Sequence, residues 1–218
     1  MPLRSGLKAM RLLQMNKFAL VGCFSFLCMG TLSAQEVSRF SFDLGGGFTQ
    51  PVGNTGRFLN DGWNVQGGVG YNFSNYIGVM GQLDYNSMGM NGTALGSSGF
   101  TGGDIHVFSA TIDPIVHLTP KSHFDVYAIG GGGLYHWYQQ FSAPTGIVSN
   151  SFAGSFPLVI PSVGDAYSVN KPGWNAGMGV ALGTKWHGKV FAEARYVHIF
   201  LNNGQRGDYV PVTFGFRW

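Results

Sequence analysis

The sequence predicts an all-β fold: an eight-stranded, antiparallel, up-and-down barrel of the transmembrane type, preceded by a cleavable signal peptide. Three observations carry this expectation. First, the last ten residues alternate strictly, with Val210, Val212, Phe214, Phe216 and Trp218 on one parity and Pro211, Thr213, Gly215 and Arg217 on the other. A period of two marks a strand with one apolar and one polar face. An aromatic final residue suits a strand whose outer face meets lipid and whose end sits in an interfacial girdle. Second, seven further segments upstream alternate in the same way, so the total is even. Third, the connections between segments run long, short, long, short, long, short, long.

Composition agrees. Charged residues are 11%, aromatics 15%, and there are 35 glycines among 218 residues. Low charge argues against a disordered chain, and Gly with aromatics suits short strands and interfacial rings. Residues 1–34 read as the signal peptide. Arg4, Lys8, Arg11 and Lys17 precede an apolar run from Phe18 to Met29, and Thr31-Leu32-Ser33-Ala34 ends in a small-x-small pattern. The run is too short to span a bilayer as a helix. Leu20-Val21-Gly22-Cys23 offers a competing lipobox, but the apolar core before that Cys is too short. Both cysteines, Cys23 and Cys28, fall in this leader. Residues 35–218 therefore carry no disulfide framework and no thiolate metal site. They hold 9 basic against 10 acidic residues, which leaves no basic footprint for nucleic acid.

The first strand segment is Arg39 to Phe48, with Phe40, Phe42, Leu44 and Phe48 opposed to Arg39, Ser41 and Asp43. The second is Trp63 to Phe73, with Val65, Val69 and Tyr71 opposed to Asn64, Gln66 and Asn72. The third is Tyr76 to Asn86, with Ile77, Val79, Leu83 and Tyr85 opposed to Met80, Gln82 and Asp84. A polar loop, 87–103, leads to the fourth, Asp104 to Leu118. There Phe108, Ile112 and Val116 oppose Ser109, Thr111, Asp113 and His117. Pro114 lies inside it and has no N–H for a ladder, so a bulge is expected there. The fifth is His123 to Tyr138, with Phe124, Val126, Ala128 and Leu134 opposed to Asp125, Tyr127 and Tyr135. The longest loop follows, 139–173, with an apolar patch from Phe156 to Pro161. The sixth is Trp174 to Lys185 and the seventh Val190 to Leu201, the latter with Tyr196 and Phe200 opposed to Glu193 and Arg195. Each segment reaches the roughly 9–11 residues that cross a bilayer at a tilt. Charges and amides gather on one parity, and aromatics and aliphatics on the other. That is a polar lumen inside an apolar wall, since an open sheet edge cannot survive in hydrocarbon.

From Arg39 to Trp218 the pattern resembles the small outer-membrane barrels of the OmpA-like superfamily. Its most specific pieces are Phe191-Ala-Glu-Ala-Arg-Tyr196 and Pro211-Val-Thr-Phe-Gly-Phe-Arg-Trp218. In the second, Phe214, Phe216 and Trp218 resemble the aromatic signal read by the barrel-assembly machinery. The family usually ends in Phe, so Trp218 departs from it. The resemblance implies an outer-membrane location, termini and short turns in the periplasm, long loops outside, and outer-membrane lipids and lipopolysaccharide as neighbours.

Five charged residues, Arg39, Asp43, Glu193, Arg195 and Arg217, fall on the inward parity near one end. Opposite charges in a lumen just wide enough for side chains form a salt-bridge network that fills it. A gate for ions or small solutes is the alternative. The histidines His106, His117, His123, His136, His187 and His198 lack the spacing of a zinc helix motif, so no metal is expected. His198 has the outward parity of Tyr196. Outer-membrane lipid A deacylases place a Ser two residues after such a His; here the position is Phe200, and without a hydroxyl there is nothing to activate. The glycines of Gly177 to Gly183 and Gly130 to Gly133 lack the strand-to-helix setting of a nucleotide loop, so no cofactor is expected. The expected role is non-enzymatic, with surface recognition through loops 87–103 and 139–173.

Overall fold

The computed structural model describes residues 39–92, 95, 102–120, 123–142, 167–184, 188–202 and 205–218. The leader and its cleavage site, and most of both long loops, lie outside these residues. Eight strands form a closed antiparallel barrel in sequence order, β1 joining both β2 and β8. They are β1 (Phe40–Pro51), β2 (Leu59–Asn72), β3 (Ile77–Met90), β4 (Gly102–His117), β5 (Phe124–Ser142), β6 (Tyr167–Gly183), β7 (Lys189–Phe200) and β8 (Arg206–Arg217). A short 3₁₀ turn, Thr55–Arg57, lies between β1 and β2. The seam closes with reciprocal backbone bonds between Phe42 and Trp218 at 2.8 and 2.9 Å. Closure leaves no unpaired edge.

The two barrel ends differ. The start of β1, the end of β8 and the short connections 73–76, 118–123 and 184–188 share one end, here called the terminal end. The connections 91–101 and 143–166 leave from the opposite, loop end. The wall and lumen follow the expected parity. Phe40, Val69, Leu83 and Phe214 are each more than half exposed on the outside, whereas Asp43 and Glu193 are 4% and 3% exposed inside.

Two expectations need correction. Pro114 makes no bulge: β3 and β4 keep one register from Ile77↔Val116 to Gly89↔Asp104, with Val79 opposite Pro114. The β4–β5 register is the same on both sides of the proline, Ile112↔Gly132 and Ile115↔Ile129. The missing N–H therefore interrupts the ladder on the β5 side without inserting a residue. There the partner strand carries Gly130 and Gly131, and a Cβ on Gly131 would meet the Ile112 carbonyl oxygen at 2.0 Å. The glycine lets the two backbones stay close across the gap. The loops are also shorter than expected, because β3 runs on to Met90, β5 to Ser142, and β6 begins at Tyr167.

That extra length inverts the wall. Along β4 the outward series is Ile112, Ala110, Phe108, then His106 and Asp104, while the inward series is Thr111, Ser109, then Val107 and Ile105. In β5, Leu134 outside gives way to His136, Tyr138 and Gln140 as Tyr135 and Trp137 fill the inside. The apolar face thus moves from outside to inside toward the loop end. An apolar exterior belongs in hydrocarbon and an apolar interior in water. The crossover marks where the barrel leaves the bilayer. Leu59, Met88, Met90, Ile105, Val107, Tyr135, Trp137, Val197, Ile199, Leu201 and Tyr209 form the resulting core beneath the loops.

Candidate functional site

Below that apolar core the lumen is charged. Arg217 Nη2 donates to Asp43 Oδ2 at 3.1 Å and lies 3.8 Å from Glu193 Oε2. Arg195 donates through Nε to Glu193 Oε1 and through Nη1 to Asp113 Oδ2 at 3.0 Å. Asn175 Nδ2 donates to the other Asp113 oxygen at 2.8 Å, and Gln82 reaches Asp43 at 3.4 Å. The network therefore joins β1, β3, β4, β6, β7 and β8 across the lumen. Such charges are tolerated in a dry interior only when paired and hydrogen-bonded. A second polar chain runs beside it: Thr213 donates to Asn64, Asn64 to Thr49, and Thr49 to Asn86, at 2.9, 3.3 and 2.7 Å.

Toward the terminal end the guanidinium of Arg217 sits over the rings of Tyr127 and Phe191, 4.8 and 5.0 Å from their centroids. These rings belong to a lower apolar group with Met80, Ile115, Ile129 and Ala181. Gly179 is required beneath it, since a Cβ there would lie 2.4 Å from the Tyr127 ring and hydroxyl. The glycines of Gly177 to Gly183 thus belong to β6, where packing accounts for Gly179. At the terminal mouth Asp125 Oδ2 is shared by His117 Nδ1 at 2.7 Å and Lys189 Nζ at 3.1 Å.

Of the five charged residues singled out from the sequence, the structure brings Asp43, Glu193, Arg195 and Arg217 together. Arg39 does not join them. It precedes β1 at the exposed rim, and its backbone carbonyl accepts from Asn72 N at 2.7 Å. Asp113, Asn175 and Gln82 were legible as inward-facing but not as members of the network, because alternation says which way a residue points and not which residue it meets across the lumen.

His198 lies two residues from the loop end of β7, at a position of outward parity but buried among its neighbours, directly opposite Asp208 of β8. Its Nδ1 lies 2.6 Å from Asp208 Oδ1. The Phe200 ring meets it edge-on at 4.8 Å between centroids, and Trp174 flanks it at 5.6 Å. The carboxylate partner, ten residues on, had no sequence signal beyond its strand register. The position that would carry a nucleophile is this phenyl ring. Among the described residues no group of three or more His, Cys, Asp or Glu converges to hold a metal ion.

A closed eight-stranded barrel with a lipid-facing apolar belt, a salt-bridged lumen and paired ends of unlike loop length defines a small outer-membrane barrel. The chain belongs to the outer membrane protein beta-barrel domain family, whose model matches residues 19–218, and its place is the cell outer membrane. No curated protein matches the chain. Among solved structures it is similar in fold to Neisserial surface protein A, with a TM-score of 0.54, 13% identity, and coverage of 84% of this chain and 98% of that one. A major outer membrane protein from Thermus thermophilus gives a TM-score of 0.50 at 10% identity, covering 82% and 97%. Ail of Yersinia pestis, crystallised with the heparin analogue sucrose octasulfate, gives 0.46 at 17% identity, covering 83% and 99%. At these identities the likeness is one of fold.

Proposed function

We propose that the protein is a non-enzymatic outer-membrane barrel that presents its loop-end connections for surface recognition, the lumen charges serving as a structural plug. The observation that carries this reading is the filled lumen. Charged side chains from four strands and amides from two more bridge it, and an apolar core with Trp137, Tyr135 and Tyr209 closes it at the loop end. A lumen of eight strands has room for side chains and little else, which weighs against the narrow pore. What the fold then offers to a partner is the pair of long connections, within 87–103 and 139–173, held up by strands that rise beyond the bilayer. Rigid scaffolds carry recognition on such loops. Assembly through the terminal Phe214, Phe216 and Trp218 belongs to the same reading.

The test is display of the full chain in an outer membrane that lacks it, with binding scored on a panel of immobilised glycans and proteins. A second chain has residues 143–166 replaced by a two-residue turn. Binding by the intact chain that is lost on shortening, with both chains equally heat-modifiable on gels, is the expected result. Equal behaviour of the two chains with every probe overturns the loop reading.

A further inference from the structure

Two loop-end connections meet at one asparagine. Asn91, just past the end of β3, donates its backbone N–H to the Phe58 carbonyl at 2.9 Å and its side-chain Nδ2 to the Arg57 carbonyl at 2.8 Å. Its own carbonyl accepts from Leu95 N at 3.2 Å. Phe58 leads into β2, Leu95 belongs to the β3–β4 connection, and both pack on the upper apolar core. Asn91 thus fastens the β1–β2 connection to the start of the β3–β4 connection. On its other side the β1–β2 connection is held to β8, by Val52 N donating to Asp208 O at 3.1 Å and Asp208 N donating to Thr55 Oγ1 at 3.0 Å. The residue after Asn91 is Gly92, which is exposed, and a Cβ built on it would meet nothing within 4 Å. Asn-Gly occurs at 91–92 and at 203–204, and the second pair lies outside the described residues. By contrast Asn64, Asn86 and Asn175 are buried and precede Val65, Ser87 and Ala176.

We propose that Asn91 is a site of spontaneous deamidation and that its conversion unfastens the two connections. The Gly92 backbone nitrogen attacks Asn91 Cγ. An N–Cγ bond forms, the Cγ–Nδ2 bond breaks, and Nδ2 leaves as ammonia with the proton of the Gly92 amide. Water then opens the five-membered imide. Cleavage at Cγ leaves aspartate, and cleavage at the main-chain carbonyl leaves isoaspartate. Water is the co-reactant, and nothing is oxidised or reduced. Asparagine is a thermolabile residue, and glycine after it has no side chain to shield the attacking nitrogen. The departing Nδ2 is the atom that donates to Arg57. A carboxylate has no proton to donate and faces the Arg57 carbonyl oxygen as acceptor against acceptor. Isoaspartate also inserts a methylene into the main chain between Asn91 and Gly92, which displaces the carbonyl that Leu95 N uses. Either product puts one negative charge on the loop end where a neutral amide stood. The change runs one way and needs no enzyme, so the outer face of the barrel alters with age. It holds whether or not the long connections bind a ligand.

The experiment uses the full chain refolded in detergent and kept warm in mildly alkaline buffer made with heavy-oxygen water. Peptide mapping with electron-transfer fragmentation reads aspartate and isoaspartate at each asparagine. The folded wild type is expected to convert at Asn91, with heavy oxygen incorporated and isoaspartate present, while Asn64, Asn86 and Asn175 stay intact. Amide hydrogen exchange over 52–60, which reports local opening, is expected to rise several-fold as Asn91 converts. Gly92→Ala places its Cβ in open space and is expected to fold normally and lose the conversion. Asn91→Asp is expected to show the faster exchange over 52–60 without any incubation. An Asn91 that stays intact in the folded barrel, while the same chain in urea converts, overturns the proposal. Exchange over 52–60 that is unchanged in a heat-modifiable Asn91→Asp chain overturns the unfastening.

Discussion

Asp43 and Arg217 face each other across the seam where the first strand meets the last, register partners whose side chains join inside the lumen at 3.1 Å. The first and last strands, already joined by their backbone ladder, are thus also tied inside the lumen by an ion pair between residues 174 apart in sequence. Both partners are nearly inaccessible, with side-chain exposures of 7% for Arg217 and 0% for Asp43.

Removing one partner leaves an unpaired charge in a dry interior. Asp43→Ala is expected to destabilise the barrel by about 3–5 kcal/mol, the usual cost of breaking a buried pair. Urea unfolding of the refolded protein in lipid, followed by the heat-modifiable gel shift, measures it. A loss under 1 kcal/mol would show that Glu193 holds Arg217 without Asp43.

The plugged lumen predicts electrical silence. Wild-type protein in planar bilayers is expected to show no discrete openings at neutral pH. Recurrent openings of fixed size would require a path past Arg195 and Trp137, and would restore the pore reading.

Two glycines should respond in opposite ways to alanine. A Cβ on Gly179 collides with the Tyr127 ring at 2.4 Å, whereas on Gly81 it meets nothing nearer than the Val69 carbonyl oxygen at 3.8 Å. Gly179→Ala is expected to cost about 1–3 kcal/mol by overpacking, and Gly81→Ala to change stability by less than about 0.5 kcal/mol. Unfolding midpoints of the two variants decide it.

Trp218 contributes backbone bonds at the seam and a stacked contact with Phe42, 6.5 Å between ring centroids. If its ring also serves the assembly signal, Trp218→Ala should lower the amount of folded barrel in the outer membrane of cells several-fold while refolding from urea in vitro stays near normal. Equal losses in both settings would assign the ring a packing role alone.

His198 and Asp208 form a His–acid couple in which Phe200 fills the position of a serine nucleophile two residues after the histidine. Expression of the protein is accordingly expected to leave the masses of lipid A species unchanged. A lost or gained acyl chain that depends on His198 would reopen the enzymatic reading.

The alternation of Tyr209 to Trp218 and of seven segments before it was enough to determine the barrel, its strand number and the sidedness of most strand residues. Period two is a local property, set by backbone geometry within one strand. The same reasoning identified Asp43, Glu193, Arg195 and Arg217 as enclosed. It misjudged Pro114, where a missing N–H was absorbed by glycines of the neighbouring strand, and it placed Arg39 in a lumen whose first inward residue is Ser41. Only the closed structure determined that Arg195 meets Asp113 from β4, that Asp208 stands against His198, and that the wall reverses its polarity at the loop end. Those relations depend on the relative sliding of strands around the barrel. That slide is a property of all eight strands together and leaves no mark in any one of them.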